Sequence, residues 1–106
     1  MRAGSAAETE LMALFADDAV YTEPFAGKPR THRGHAAIRR CFVEAWQNPP
    51  PDLTLTVDRV DVDAERVTAL WTCESPAFAQ PVRGRDTYEV VDGQIRTLVV
   101  AFVEPA

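Results

Sequence analysis

Two carboxylates are the residues best placed by type to do chemistry. Glu23 stands between Tyr21 and Phe25 and directly before Pro24. In a dry site a carboxylate can abstract an acidic C–H proton, and desolvation by flanking aromatics raises its pKa in the useful direction. The competing expectation is a Glu-Pro turn facing water, since isolated carboxylates are mostly exposed. Asp86 lies between Arg85 and Tyr88 in a segment patterned as a strand, where Asp is disfavoured. It is either a neutral hydrogen-bond donor or the second carboxylate of an acid/base pair. Otherwise it pairs with Arg83 or Arg85, where an exposed ion pair contributes about 0–1 kcal/mol.

Other groups read more plainly. Tyr21, Tyr88, Trp46 and Trp71 either line a pocket or belong to a core or a dimer interface. His32 and His35 have a spacing that suggests a metal, but no third ligand is visible, so the pair reads as a surface loop without metal. Cys41 and Cys73 show no CxxC or Cys/His spacing and read as buried, reduced thiols. No Ser/His/Asp arrangement and no Gly-rich phosphate cradle is present.

These residues need a scaffold. The chain has 106 residues, enough for one domain over 1–106 with one core, in which residues 1–7 are small, polar and expected to fray. A net charge of −5 argues against nucleic acid, which needs a basic patch. No apolar run approaches a membrane span, and the expectation is a cytoplasmic protein with no membrane partner.

The pattern is first helical. Leu11, Leu14 and Phe15 suggest a two-turn helix over 8–15, ended by Asp17 and Asp18, before a brief strand at Val20 and Tyr21. Pro24 to Gly34 reads as a loop. Ile38, Cys41, Phe42, Ala45 and Trp46 form one apolar stripe on a helix over 35–47, stopped by Pro49-Pro50-Pro51. Period two then takes over. Leu53, Leu55 and Val57 alternate, and Val60 and Val62 continue out of phase, so a bulge is expected near Asp58-Arg59. Strands follow over 66–73, 83–91 and 95–103, with Asp92-Gly93 a strong hairpin signal. The expected fold is α+β: four long antiparallel strands curving over N-terminal helices as an open cone.

Several of these motifs carry a resemblance. Leu14-Phe15-Ala16-Asp17-Asp18-Ala19-Val20, Glu23-Pro24, Arg33-Gly34-His35-Ala36-Ala37-Ile38-Arg39, Gly84-Arg85-Asp86-Thr87-Tyr88 and Asp92-Gly93-Gln94-Ile95 resemble the NTF2-like (cystatin-like) superfamily. That superfamily includes SnoaL-like polyketide cyclases and ketosteroid isomerases, the latter an established case of carboxyl groups tuned apart. The resemblance implies proton abstraction next to a carbonyl in a small hydrophobic molecule, with no cofactor. It places the isomerases' basic carboxylate at Glu23 and their hydrogen-bonding acid at Asp86. The isomerases' first-helix tyrosine has no counterpart here. The resemblance puts Leu98, Val100 and Phe102 on the concave face of an apolar pocket, with Tyr21, Phe25, Phe42, Trp46, Trp71 and Tyr88 as further candidate ligand-binding residues. A homodimer through the outer face of the sheet is also implied. Two alternatives stay open: a non-catalytic ligand-binding or dimerisation module, and a limonene-type epoxide hydrolase, for which Arg85-Asp86 would be half of an Asp-Arg-Asp set.

Overall fold

The computed structural model describes residues 9–47 and 50–103, apart from the side chain of Trp46. The segment expected to fray, 1–7, lies outside them. Residues 9–13 are helical (α1). Strand β1 (Phe15–Glu23) follows, then β2 (Arg30–Arg33), helix α2 (Gly34–Gln47), and strands β3 (Thr54–Asp63), β4 (Arg66–Glu74), β5 (Val82–Val91) and β6 (Gln94–Phe102). All six strands form one curved, unclosed sheet in the order β2-β1-β6-β5-β4-β3. The α+β arrangement and the four long C-terminal strands are as expected.

The first third of the chain is built differently from its local pattern. Phe15 does not end a helix; it begins β1, which runs nine residues. The reason is tertiary capture of the backbone. Ile95 N–H donates to the Leu14 carbonyl at 2.7 Å, and His35 Nε2 donates to the Phe15 carbonyl at 2.8 Å. Phe15 buries its ring against Phe42, 5.9 Å away, while Leu14 is left exposed. Asp17 and Asp18 are therefore strand residues, exposed where the register shifts between Phe15 and Val20. β1 pairs with β6 in parallel, so the sheet is mixed rather than wholly antiparallel. The expected loop over 24–34 contains β2, paired with β1 so that His32 lies opposite Tyr21 and Arg30 opposite Glu23.

Elsewhere pattern and structure agree. Ile38 and Cys41 of α2 are buried with Met12, Phe15, Ala19, Tyr21, Trp71, Leu98 and Val100. Ala45, the next member of the stripe, is exposed. Asp92 and Gly93 both take positive φ, as a two-residue hairpin turn requires. The bulge falls between Val57 and Arg59. It keeps Leu55, Val57, Val60 and Val62 opposite Cys73, Trp71, Ala69 and Val67, so the apolar residues of β3 stay on the inner side of the sheet. Helix α2 packs on β1 and β2, and those four β3 side chains remain exposed.

Candidate active site on the concave face

Alternation along the strands selects which side chains meet. Tyr21 and Glu23 of β1 share a face, as do Leu98 and Val100 of β6, Asp86 and Tyr88 of β5, and Ala69 and Trp71 of β4. Pairing then orders them in rows. Tyr21, Leu98 and Tyr88 form one row across three strands. In the next row Asp86 pairs with Val100, and the Thr22–Val99 register brings Glu23 beside Val100 from the other side. Two strand spacings separate the carboxylate-bearing backbones, about 10 Å.

Glu23 is fully buried, which excludes the water-facing turn and meets only the burial part of the dry-site expectation. It is not a solvated turn residue. Nor is it a carboxyl raised by desolvation alone. Phe25 N–H donates to Oε1 at 2.8 Å. Arg30 Nε donates to Oε2 at 2.8 Å, and His32 Nε2 bonds the same oxygen at 2.9 Å. The Cys41 thiol approaches Oε2 at 3.9 Å. Burial pushes the Glu23 pKa up, but the bonds from His32, Phe25 N–H and Arg30 outweigh it and hold the carboxyl below its ordinary value.

His32 and Arg30 are site residues that sequence reasoning missed. Both sit in a segment that reads as a loop by its prolines and glycines. The available signal was the short alternation Arg30-Thr31-His32 opposite Thr22 and Tyr21, too brief for periodicity to resolve. His32 is not a surface-loop residue: its ring stacks on Tyr21, with centroids 5.7 Å apart. Its former partner in the motif, His35, points elsewhere, to Phe15 and towards Asp17 Oδ1 at 4.0 Å.

Asp86 is half-buried and pairs with neither Arg83 nor Arg85. Trp71 Nε1–H donates to its Oδ1 at 2.8 Å, and the Tyr88 hydroxyl donates to its Oδ2 at 3.0 Å. The indole reaches this position because Gly84 lies under it; a Cβ there would overlap the Trp71 ring. Arg85 is exposed and, as the adjacent strand residue, projects to the opposite face from Asp86.

The remaining residues of the implied pocket divide. Tyr21, Trp71, Leu98 and Val100 are buried, and Phe42 packs on Tyr21 at 5.1 Å. Phe25 and Phe102 are about half exposed and meet edge to face at 5.6 Å, at the rim. Trp46 lies outside the described side chains. Burial first, and then the neighbouring charges of Cys41, Glu23 and Asp86, raises the Tyr21 pKa. Tyr88 is raised by burial and by Asp86. Burial likewise pushes both thiols up, Cys41 further through Glu23 and Cys73 through Asp86. A cavity of about 470 Å³ opens between α1 and α2, lined by Thr9, Met12, Ala13, His35, Ala36 and Arg39; neither carboxylate borders it.

The SnoaL-like domain model matches residues 3–98. The chain belongs to the SnoaL-like domain family. Among solved structures it is similar to a candidate ketosteroid isomerase from Kribbella flavida, at 25% identity and a TM-score of 0.73, over 96% of this chain and 70% of that one. It is also similar to a candidate polyketide cyclase from Sinorhizobium meliloti, at 25% identity and a TM-score of 0.74, over 93% and 86% of the two chains. An NTF2-like protein of unknown function from Mesorhizobium loti, 22% identical with a TM-score of 0.73 over 92% and 78%, shares the fold. A search of curated proteins gave no match. In this SnoaL-like chain no described helix is long and apolar enough to cross a membrane.

Proposed function

We infer that the concave face binds a small hydrophobic molecule bearing a carbonyl and moves a proton on the carbon beside it, as an isomerase or cyclase. The observation that carries this is the row Glu23–Val100–Asp86: two carboxylates flank one apolar residue on a face lined by aromatics. The likeness to candidate isomerase and cyclase structures supports the same class of reaction.

The geometry refines the roles. Glu23 is sealed from solvent, whereas 18% of the His32 side chain is accessible. An ionised Glu23 accepting the Nε2 proton leaves Nδ1 of His32 with the lone pair, and the base is then His32 oriented by Glu23. Asp86 receives two hydrogen bonds, which suits the second carboxylate of the pair. Proton transfer of this kind contributes about 10²–10⁴-fold to a rate.

The test needs no known substrate. A panel of polycyclic and polyketide-like ketones is incubated with the protein in D2O, and exchange at the carbons beside the carbonyl is followed by NMR. We expect protein-dependent exchange that falls at least 100-fold in Glu23→Gln. Exchange unchanged by that substitution would refute the assignment.

A second reading is a ligand-binding or dimerisation module. The full set of partners on Glu23, and the separation of the 470 Å³ cavity from both carboxylates, favour it. Ligand-induced shifts on the concave face without exchange would select it. The epoxide hydrolase reading is less favoured, because Arg85 and Asp86 project to opposite faces. For both leading readings we take the unit to be a homodimer joined through the outer sheet face, where Val99 is 44% exposed.

A further inference from the structure

His32 and His35 lack a third ligand in the sequence, but the fold brings other donors to one of them. His32 Nε2, Glu23 Oε2 and Cys41 Sγ come from β2, β1 and α2. One ligand atom from each lies within 4.8 Å of the others. The oxygen–nitrogen separation is 2.9 Å and the oxygen–sulfur separation 3.9 Å. Imidazole, carboxylate and thiolate are the donors zinc takes, at about 2.0–2.3 Å, which places tetrahedral donors roughly 3.3–3.7 Å from one another. The first two separations lie within about half an ångström of that range, and the nitrogen–sulfur gap, up to 4.8 Å, closes by about 1 Å as the cation draws the two side chains together. We propose that Glu23, His32 and Cys41 form a binding site for a thiophilic divalent cation such as zinc, with the fourth position open to water or a ligand.

The surroundings hold these donors in place. Phe25 N–H fixes Oε1 of Glu23 and so aims Oε2 at His32 and Cys41. Tyr21 fixes the plane of the His32 ring by stacking. Such outer contacts are what orient metal ligands. On binding, the Cys41 thiol releases its proton to solvent, the His32 ring proton moves from Nε2 to Nδ1, and the lone pairs freed on Sγ and Nε2 go to the cation.

Arg30 is the competitor. Its Nε donates to the same Oε2 at 2.8 Å, and the cation displaces it. The Arg30 side chain is 45% exposed, so the guanidinium can swing into water. Among the described residues every buried side-chain polar atom already has a partner. The cation is therefore an optional occupant, and the fold does not require it. The site shares Glu23 and His32 with the proposed proton-transfer group, but its test is a binding measurement that stands whatever the reaction.

The full-length reduced protein is titrated with cobalt(II), which substitutes for zinc and reports its ligands by colour. We expect one equivalent to bind with a near-ultraviolet thiolate-to-cobalt band, and zinc to bleach it. Cys41→Ala abolishes the band and Cys73→Ala retains it. His32→Ala weakens binding roughly tenfold or more. Arg30→Gln tightens it. Absence of a thiolate band in the unsubstituted protein, or a band that survives Cys41→Ala, overturns the proposal. If Cys41→Ala does not fold, cadmium NMR of the unsubstituted protein decides: a shift typical of one sulfur with nitrogen and oxygen donors supports the site, and a shift typical of oxygen donors alone refutes it.

Discussion

Trp71 lies against Gly84, and from there its indole N–H reaches Asp86 Oδ1 at 2.8 Å. A side chain at position 84 and the indole cannot share that space. Gly84→Ala should therefore destabilise the protein by about 1–3 kcal/mol through overpacking, and should release the indole from Asp86. Denaturant unfolding measures the first effect. A shift of the Trp71 indole proton in a nitrogen-edited NMR spectrum measures the second. An unmoved indole resonance would mean the ring is held by other contacts.

The acid response of the fold should depend on Glu23. Its carboxyl is held below its ordinary value of 4.5 in the folded protein. A lowered folded pKa contributes stability that is present above the unfolded pKa and is lost as pH falls through the folded one. Unfolding free energy should thus decline as pH drops below about 4.5. Glu23→Gln should flatten that decline while costing about 1–3 kcal/mol near neutrality, as hydrogen bonds to a charge are lost. Urea melts of both proteins across pH 3–7, a window set by this shift, test the slope and the offset.

The β5–β6 hairpin offers a purely conformational test. Gly93 has φ +79°, with open space where a side chain would stand. Gly93→Ala meets no clash, only the left-handed backbone cost of about 1–2 kcal/mol. Thermal unfolding should show a loss of that size. A neutral result would indicate that the turn relaxes to another type.

Assembly can be separated from chemistry at Val99, which sits on the outer face away from both carboxylates. Val99→Asp should convert the inferred dimer to a monomer in sedimentation velocity while leaving the Tyr21–His32 stacking unchanged by NMR. A monomeric parent protein would end the dimer reading at once.

The period-two segments after residue 53 determined four strands, their hairpins and the bulge, because each residue there answers to its own neighbours across a ladder. The apolar stripe over 38–42 likewise determined one packed helix, because burial of a single face is a local property of spacing. Residue type and neighbours singled out Glu23 and Asp86, and the SnoaL-like resemblance implied a role for each. What surrounds them was settled by contacts distant in sequence. Leu14 and Phe15 have the spacing of a helix, but their carbonyls are taken by Ile95 and His35, and so the helix ends before Leu14 and Phe15 opens a strand. Arg30 and His32 lie among turn-forming residues, and only pairing with β1 turns them inward onto Glu23. Asp86 stood beside two arginines in sequence, yet its partners are Trp71 and Tyr88. A sequence specifies how polar a residue is and which face of its element it occupies. Which charge or hydrogen-bond donor comes to lie within 3 Å of it depends on how strands and helices far apart in the chain are registered, and that register is set by the packing of the whole core.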